Sequence, residues 1–159
     1  MKTAPSSSKP PSHSPMTDQT ALTARHLRFG WWALAVFLSM GIILETMHGF
    51  KIGWYLNVSN ETRRLMLTLA HAHGALLGLV NVAFSLTLPL IPLWNPAKRR
   101  FAGACLLAAS VLMPSGFLLG GIIVHGGDPG LGIFLLPLGA LLLLIAIVMT
   151  AGALRSRRS

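Results

Sequence analysis

Four of the six histidines, His48, His71, His73 and His125, lie within or at the ends of long apolar segments, and Glu45 stands three residues before the first of them. An ionisable group inside a bilayer is costly, so such residues mark either a site or a buried polar pair. At i and i+3 on a helix, Glu45 and His48 share one face, a carboxylate and an imidazole about a turn apart. Di-iron bundles use this E-x-x-H spacing, so the pair either ligates a metal or Glu45 orients His48. In Ala70-His71-Ala72-His73-Gly74 the two imidazoles fall on different faces. His71 shares a small, polar stripe with Gly74, Gly78, Asn81 and Ser85, while His73 lies about 160° away, nearer Leu77, Val80 and Phe84. Because small residues let membrane helices approach, the His71 stripe is expected to face inward, with His71 a ligand. His73 is expected to bond a carbonyl across helices, or to serve a second cofactor or a partner subunit. His125 shares a stripe with Ser110, Pro114 and Gly121 and closes the third apolar segment.

The elements that must position these residues follow from composition. With 53% hydrophobic and 11% charged residues in 159, the chain is far more apolar than a soluble domain, in which about a quarter of residues are charged. Four stretches can cross a hydrocarbon core of about 30 Å: Trp31 to Phe50, Leu65 to Leu90, Phe101 to Val124 and Leu131 to Leu154. The expected fold is all-α, an integral membrane antiparallel four-helix bundle over residues 29–155. Residues 1–28 read as a disordered cytoplasmic tail rich in Ser and Pro, with His13 and His26 solvated in it or at its junction. Residues 156–159 form a basic cytoplasmic end.

The net charge of +9 is arranged around the spans. Lys2, Lys9, Arg25, Arg28, Lys98, Arg99, Arg100, Arg155, Arg157 and Arg158 fall on one side, and only Lys51, Arg63 and Arg64 on the other. The positive-inside rule therefore puts both termini in the cytoplasm of a multi-pass inner-membrane protein, with no role in nucleic-acid binding. On this topology Trp31, Trp32 and Trp94 mark the inner interface and Trp54 and Tyr55 the outer one. Asn57-Val58-Ser59 and Asn60-Glu61-Thr62 match the glycosylation acceptor pattern, short enough to arise by chance. The run His125-Gly126-Gly127-Asp128-Pro129-Gly130 predicts a tight turn, in which Asp128 is a turn residue rather than a ligand. Lone Cys105 excludes an internal disulfide and reads as a small packing residue.

With the chain running out, back and out again, Glu45, His48, His71 and His125 are expected to converge at one level near the outer face. Three imidazoles and a carboxylate form a first shell for iron, copper or zinc, and two of His48, His71 and His73 would alternatively hold haem b. Over that one helix, Ala70-His71-Ala72-His73-Gly74 resembles the ligand-bearing helices of haem-copper oxidase and nitric oxide reductase catalytic subunits. The resemblance implies haem b at His71 or His73; the chain is too short for a complete oxidase. The resulting expectation is a haem- or metal-binding, redox-associated membrane subunit, in a homo-oligomer or a larger complex, exchanging electrons with a partner such as a quinone. The alternatives are a small proton or metal-ion transporter or sensor, and a structural or assembly subunit whose histidines bond helix to helix.

Overall fold

The structure is a computed structural model that describes residues 15–57 and 61–156. Residues 1–14 of the expected tail, with His13, lie outside the described residues, as do residues 58–60 of the two acceptor tripeptides and Arg157 and Arg158 of the basic end. Four helices make up nearly all of the rest: α1 (Pro15–Gly49), α2 (Glu61–Thr87), α3 (Pro96–Ile122) and α4 (Leu135–Arg155). Short 3-10 turns at Leu88–Leu90 and Leu131–Phe134 adjoin α2 and α4. The fold is thus all-α, and all four helices are long and apolar enough to cross a membrane.

Helix α1 begins well before the span read from composition. Its 35 residues correspond to about 50 Å of helix, so residues 15–28 extend it rather than forming an unstructured tail. The reason is a stripe that polar composition conceals. Leu22, His26, Gly30, Leu34 and Leu44 are buried at spacings that keep one face of a single helix. Pro15 stands at the helix start, where its missing N–H costs nothing, and Asp18 lies in the first turn, complementing the helix dipole.

The helices pack serially. α1 lies on α2, α2 on α3 and α3 on α4, with α1 touching α3 more lightly, so α1 and α4 form the two outer edges. Neighbours are antiparallel, and glycines set their approach. A Cβ at Gly30 would stand 2.7 Å from both the Gly78 carbonyl oxygen and Val82 Cγ2. Farther along, a Cβ at Gly74 would strike the Phe37 ring and one at Gly41 the His71 ring. Gly121 against Met66 and Leu67 repeats the arrangement between α2 and α3, as does Gly139 against Met113 between α3 and α4. Trp31 and Trp32, adjacent to Gly30, are level with Gly78 and Val82 of α2, and both are exposed.

Side-chain bonds close the two ends of the assembly. At the end carrying the start of α1, here the terminus end, Asn95 caps α3 by accepting from the Ala97 and Lys98 amides at 2.9 and 3.2 Å. At the opposite, loop end, Val124–His125 pairs with Asp128–Pro129 around Gly126 and Gly127, both at positive φ, a two-residue hairpin where a turn was expected. Thr62 Oγ1 donates to the Gly127 carbonyl at 2.6 Å, and Arg63 Nη1 to the Trp54 carbonyl at 3.1 Å. The Arg63 guanidinium also sits 4.7 Å from the Trp54 ring centre, so this loop-end cation has a structural task. Cys105 is buried among Leu22, Phe84 and Leu106, as a packing residue should be.

Replacing Gly30 by valine puts a branched side chain where one carbon already meets backbone. Thermal unfolding in detergent is expected to show a loss of about 1–3 kcal/mol. The same replacement at Gly152, which has open space around it, is expected to change nothing. Equal stabilities for the two variants would contradict the crossing.

Candidate functional site

The two histidines of α2 occupy different environments. His71 Nδ1 lies 2.6 Å from the Phe37 carbonyl oxygen of α1, with the ring seated over Gly41. His73 Nδ1 lies 2.9 Å from the Leu69 carbonyl one turn back on its own helix, and its ring is 4.6 Å from Phe117 of α3. A carbonyl oxygen only accepts, so each ring carries its proton on Nδ1 and, when neutral, has its lone pair on Nε2. The bond across helices is therefore made by His71, where ligation was expected, and His73 bonds within its helix instead. Both rings are half-buried.

Glu45, His48 and His125 are exposed at the loop end, His125 within the hairpin. His71 is level with Gly41, seven residues inward of His48 and so about 10 Å deeper along α1. The expected convergence at one depth is absent. Among the described residues there is no group of three or more His, Cys, Asp or Glu side chains able to hold a metal ion, so the set Glu45, His48, His71 and His125 is not gathered.

A second polar cluster lies toward the terminus end. His26, read as a solvated junction residue, is 0% exposed. Its Nδ1 is 2.7 Å from Asn81 Oδ1, its ring stands edge-on to Phe84, and Gly103 makes room for Nε2, which a Cβ would approach to 2.7 Å. Asn81 Nδ2 donates to the Leu77 carbonyl and to Ser110 Oγ, both at 2.8 Å, and Ser110 Oγ donates to the Leu106 carbonyl at 2.7 Å. With its amide nitrogen so engaged, Asn81 offers Oδ1 as an acceptor, and His26 Nδ1 must be the donor. Among the described residues, Nε2 has no hydrogen-bond partner.

One turn from Gly103 on α3, Arg99 is only 1% exposed. Its Nη1 donates to Gln19 Oε1 at 2.7 Å, and Gln19 Nε2 donates to the Leu88 carbonyl at 2.7 Å. Asp18 Oδ2 is 3.8 Å from Arg99 Nη2 and 3.3 Å from Arg100 Nη1. Sequence reasoning missed this cluster because His26 and Gln19 were assigned to the tail. The signal was present in the stripe that joins Leu22, His26 and Gly30.

Comparison of the chain with protein-family models, with characterised proteins and with solved structures finds no match.

Asn81 is the hub of the buried cluster. Asn81→Leu removes the acceptor of His26 Nδ1 and is expected to cost about 1 kcal/mol or more in unfolding. Adding His26→Phe removes the stranded donor, so the double variant is expected to recover part of that loss. Strictly additive losses would sink the assignment of that bond.

Proposed function

We propose that this chain is a multi-pass inner-membrane protein with both termini cytoplasmic, serving as an electron-transfer subunit that holds haem b, or a non-haem iron or copper ion, through His73. The orientation is supported by the ten cations that this topology places inside against three outside.

The observation that carries the reading is the bond from His73 Nδ1 to Leu69. Being internal to α2, it joins no helices; its effect is to fix the tautomer and turn of the ring, leaving Nε2 as the lone-pair nitrogen. Outer-shell carbonyls do this for metal-ligating imidazoles. The ring also lies along Phe117, which restricts its rotation. His71 engages α1 on the other face of the helix and does not serve the same iron, so a second axial ligand would come from another copy or from a larger membrane complex. Glu45, His48 and His125 form no part of this centre.

A proton or metal-ion pathway is the second reading, favoured by the polar succession Asp18, Arg99, Gln19, His26, Asn81 and Ser110. Between Asn81 and His71, however, Leu34 packs at Gly78 and Phe37 at Gly74, so such a path has to part apolar side chains. Proton uptake by proteoliposomes that Asn81→Ala abolishes would favour this reading.

Absorption spectra of detergent-purified protein, oxidised and dithionite-reduced, with total metal analysis, test the first reading. The expected result is a reduced haem band, or near-stoichiometric iron or copper, lost in His73→Ala and retained in His71→Ala. Neither haem nor metal in the wild-type protein overturns the proposal and leaves a structural, helix-bonding role for His71. Reporter fusions at the two termini check the orientation; an extracytoplasmic signal from either would contradict it.

A further inference from the structure

We infer that the groove beside Arg99 at the terminus end binds an acidic phospholipid, with the lipid phosphate held by the side-on fork of the Arg99 guanidinium. The groove is a cavity of about 680 Å³ lined by Arg99, Gln19, Thr23, Trp94, Pro89 and Leu93 among others. Among the described residues, Arg99 Nε and Nη2 have no hydrogen-bond partner, although the side chain is buried. Those two nitrogens are the adjacent pair that meets two oxygens of a phosphate or carboxylate in parallel. The third nitrogen, Nη1, is held by Gln19, which is itself anchored to the Leu88 carbonyl, so the guanidinium is fixed at the groove wall with its other two nitrogens buried and unpaired.

Asp18 does not fill the fork. Its Oδ2 lies 3.8 Å from Nη2, beyond hydrogen-bond reach, and is closer to Arg100. Arg99 and Arg100 outweigh this one carboxylate, and Lys98 lines the neighbouring groove on the other side of the 88–95 connection. The local charge thus favours an anion. Most of the remaining wall is apolar, with Thr20 and Thr23 along one part of it: Pro89 and Leu93 are exposed, Leu93 at 98%, next to Trp94. A groove that joins a guanidinium to exposed apolar side chains matches an amphiphile better than a free ion. Tryptophan at headgroup depth and basic side chains at the cytoplasmic leaflet suit the same occupant.

This inference rests on the membrane-spanning part of the proposed function and not on its cofactor. Protein recovered in the soluble fraction without detergent would remove that premise before any lipid is measured. The test itself uses the full chain in nanodiscs of phosphatidylcholine and phosphatidylglycerol in equal amounts, with retained lipid counted by native mass spectrometry. Phosphatidylglycerol is expected to be retained over phosphatidylcholine, and Arg99→Lys, which keeps the charge but loses the fork, is expected to lower its retention roughly tenfold. Lys98→Gln is expected to leave retention nearly unchanged. Equal retention of the two lipids, or equal losses in Arg99→Lys and Lys98→Gln, would overturn the site.

Should Arg99→Lys fail to fold, a variant with Trp31, Trp32 and Trp54 replaced by phenylalanine leaves Trp94 as the only reporter. Its fluorescence is expected to be quenched more by phosphatidylglycerol with brominated chains than by brominated phosphatidylcholine. Equal quenching counts against the proposal. Excess inorganic phosphate is expected to reduce the difference by competing for the fork; a difference that it leaves untouched would overturn the fork as the lipid's site.

Discussion

The contact on which the rest depends is the backbone approach of α1 to α2 at Gly30 and Gly78. No side chain separates the helices there, since a single added carbon at Gly30 would meet the Gly78 carbonyl. For helices long and apolar enough to cross a membrane, apolar burial would supply little attraction in lipid, and close packing with interhelical hydrogen bonds would supply it instead. The crossing provides the first and positions the second. One turn toward the terminus end it brings His26 to Asn81; toward the loop end it brings Phe37 over Gly74 and the Phe37 carbonyl to His71. Every polar contact between α1 and α2 discussed here depends on that register.

The polar groups of the interior are arranged so that each fixes the next. Ser110 donates to its own helix and so accepts from Asn81, whose amide is then oriented with Oδ1 toward His26. In a low-dielectric interior such a chain is worth more than its separate bonds, and a missing member leaves a buried group unpaired. The chain ends at His26 Nε2, beside Gly103. Arg99, a turn away, is similarly part-satisfied: Gln19 holds one nitrogen and two are left over. Among the described residues, the buried side-chain nitrogens without partners therefore collect at the terminus end, where composition alone points to no chemistry.

Much of the architecture was legible. Hydropathy gave the four helices and Gly126-Gly127-Asp128-Pro129 the loop-end turn, whereas α3 starts at Pro96, five residues before the expected Phe101, because Asn95 caps it there. The start of α1 was not, because apolar content was weighed above spacing. Arg25 and Arg28 are exposed, whereas Leu22, His26 and Gly30 keep the buried face, and a polar stretch with such a stripe is a helix that packs. The expected histidine and glutamate site failed for a different reason. Placing residues near the same ends of successive helices does not equalise their depth: α1 carries His48 at its last turn, while α2 carries His71 well inside. Pairwise register, which decides whether imidazoles meet, is set by the glycine contacts and is not readable from any one helix alone.

Serial packing also explains why α2 can carry two histidines with different duties. A helix at the edge has one contact face; α2 has two, toward α1 and toward α3. Residues at i and i+2 are separated by about 160° on the wheel, close to the angle between two such faces. His71 is thereby directed to the Phe37 carbonyl and Gly41, and His73 to Phe117. A bond to another helix restrains both helices and is lost only with the packing. A bond to one's own helix restrains only the ring, and its effect is to decide which nitrogen holds the lone pair. The same two-residue spacing thus separates an imidazole bonded to a neighbouring helix from one bonded within its own, and the ligation proposed for His73 rests on that separation.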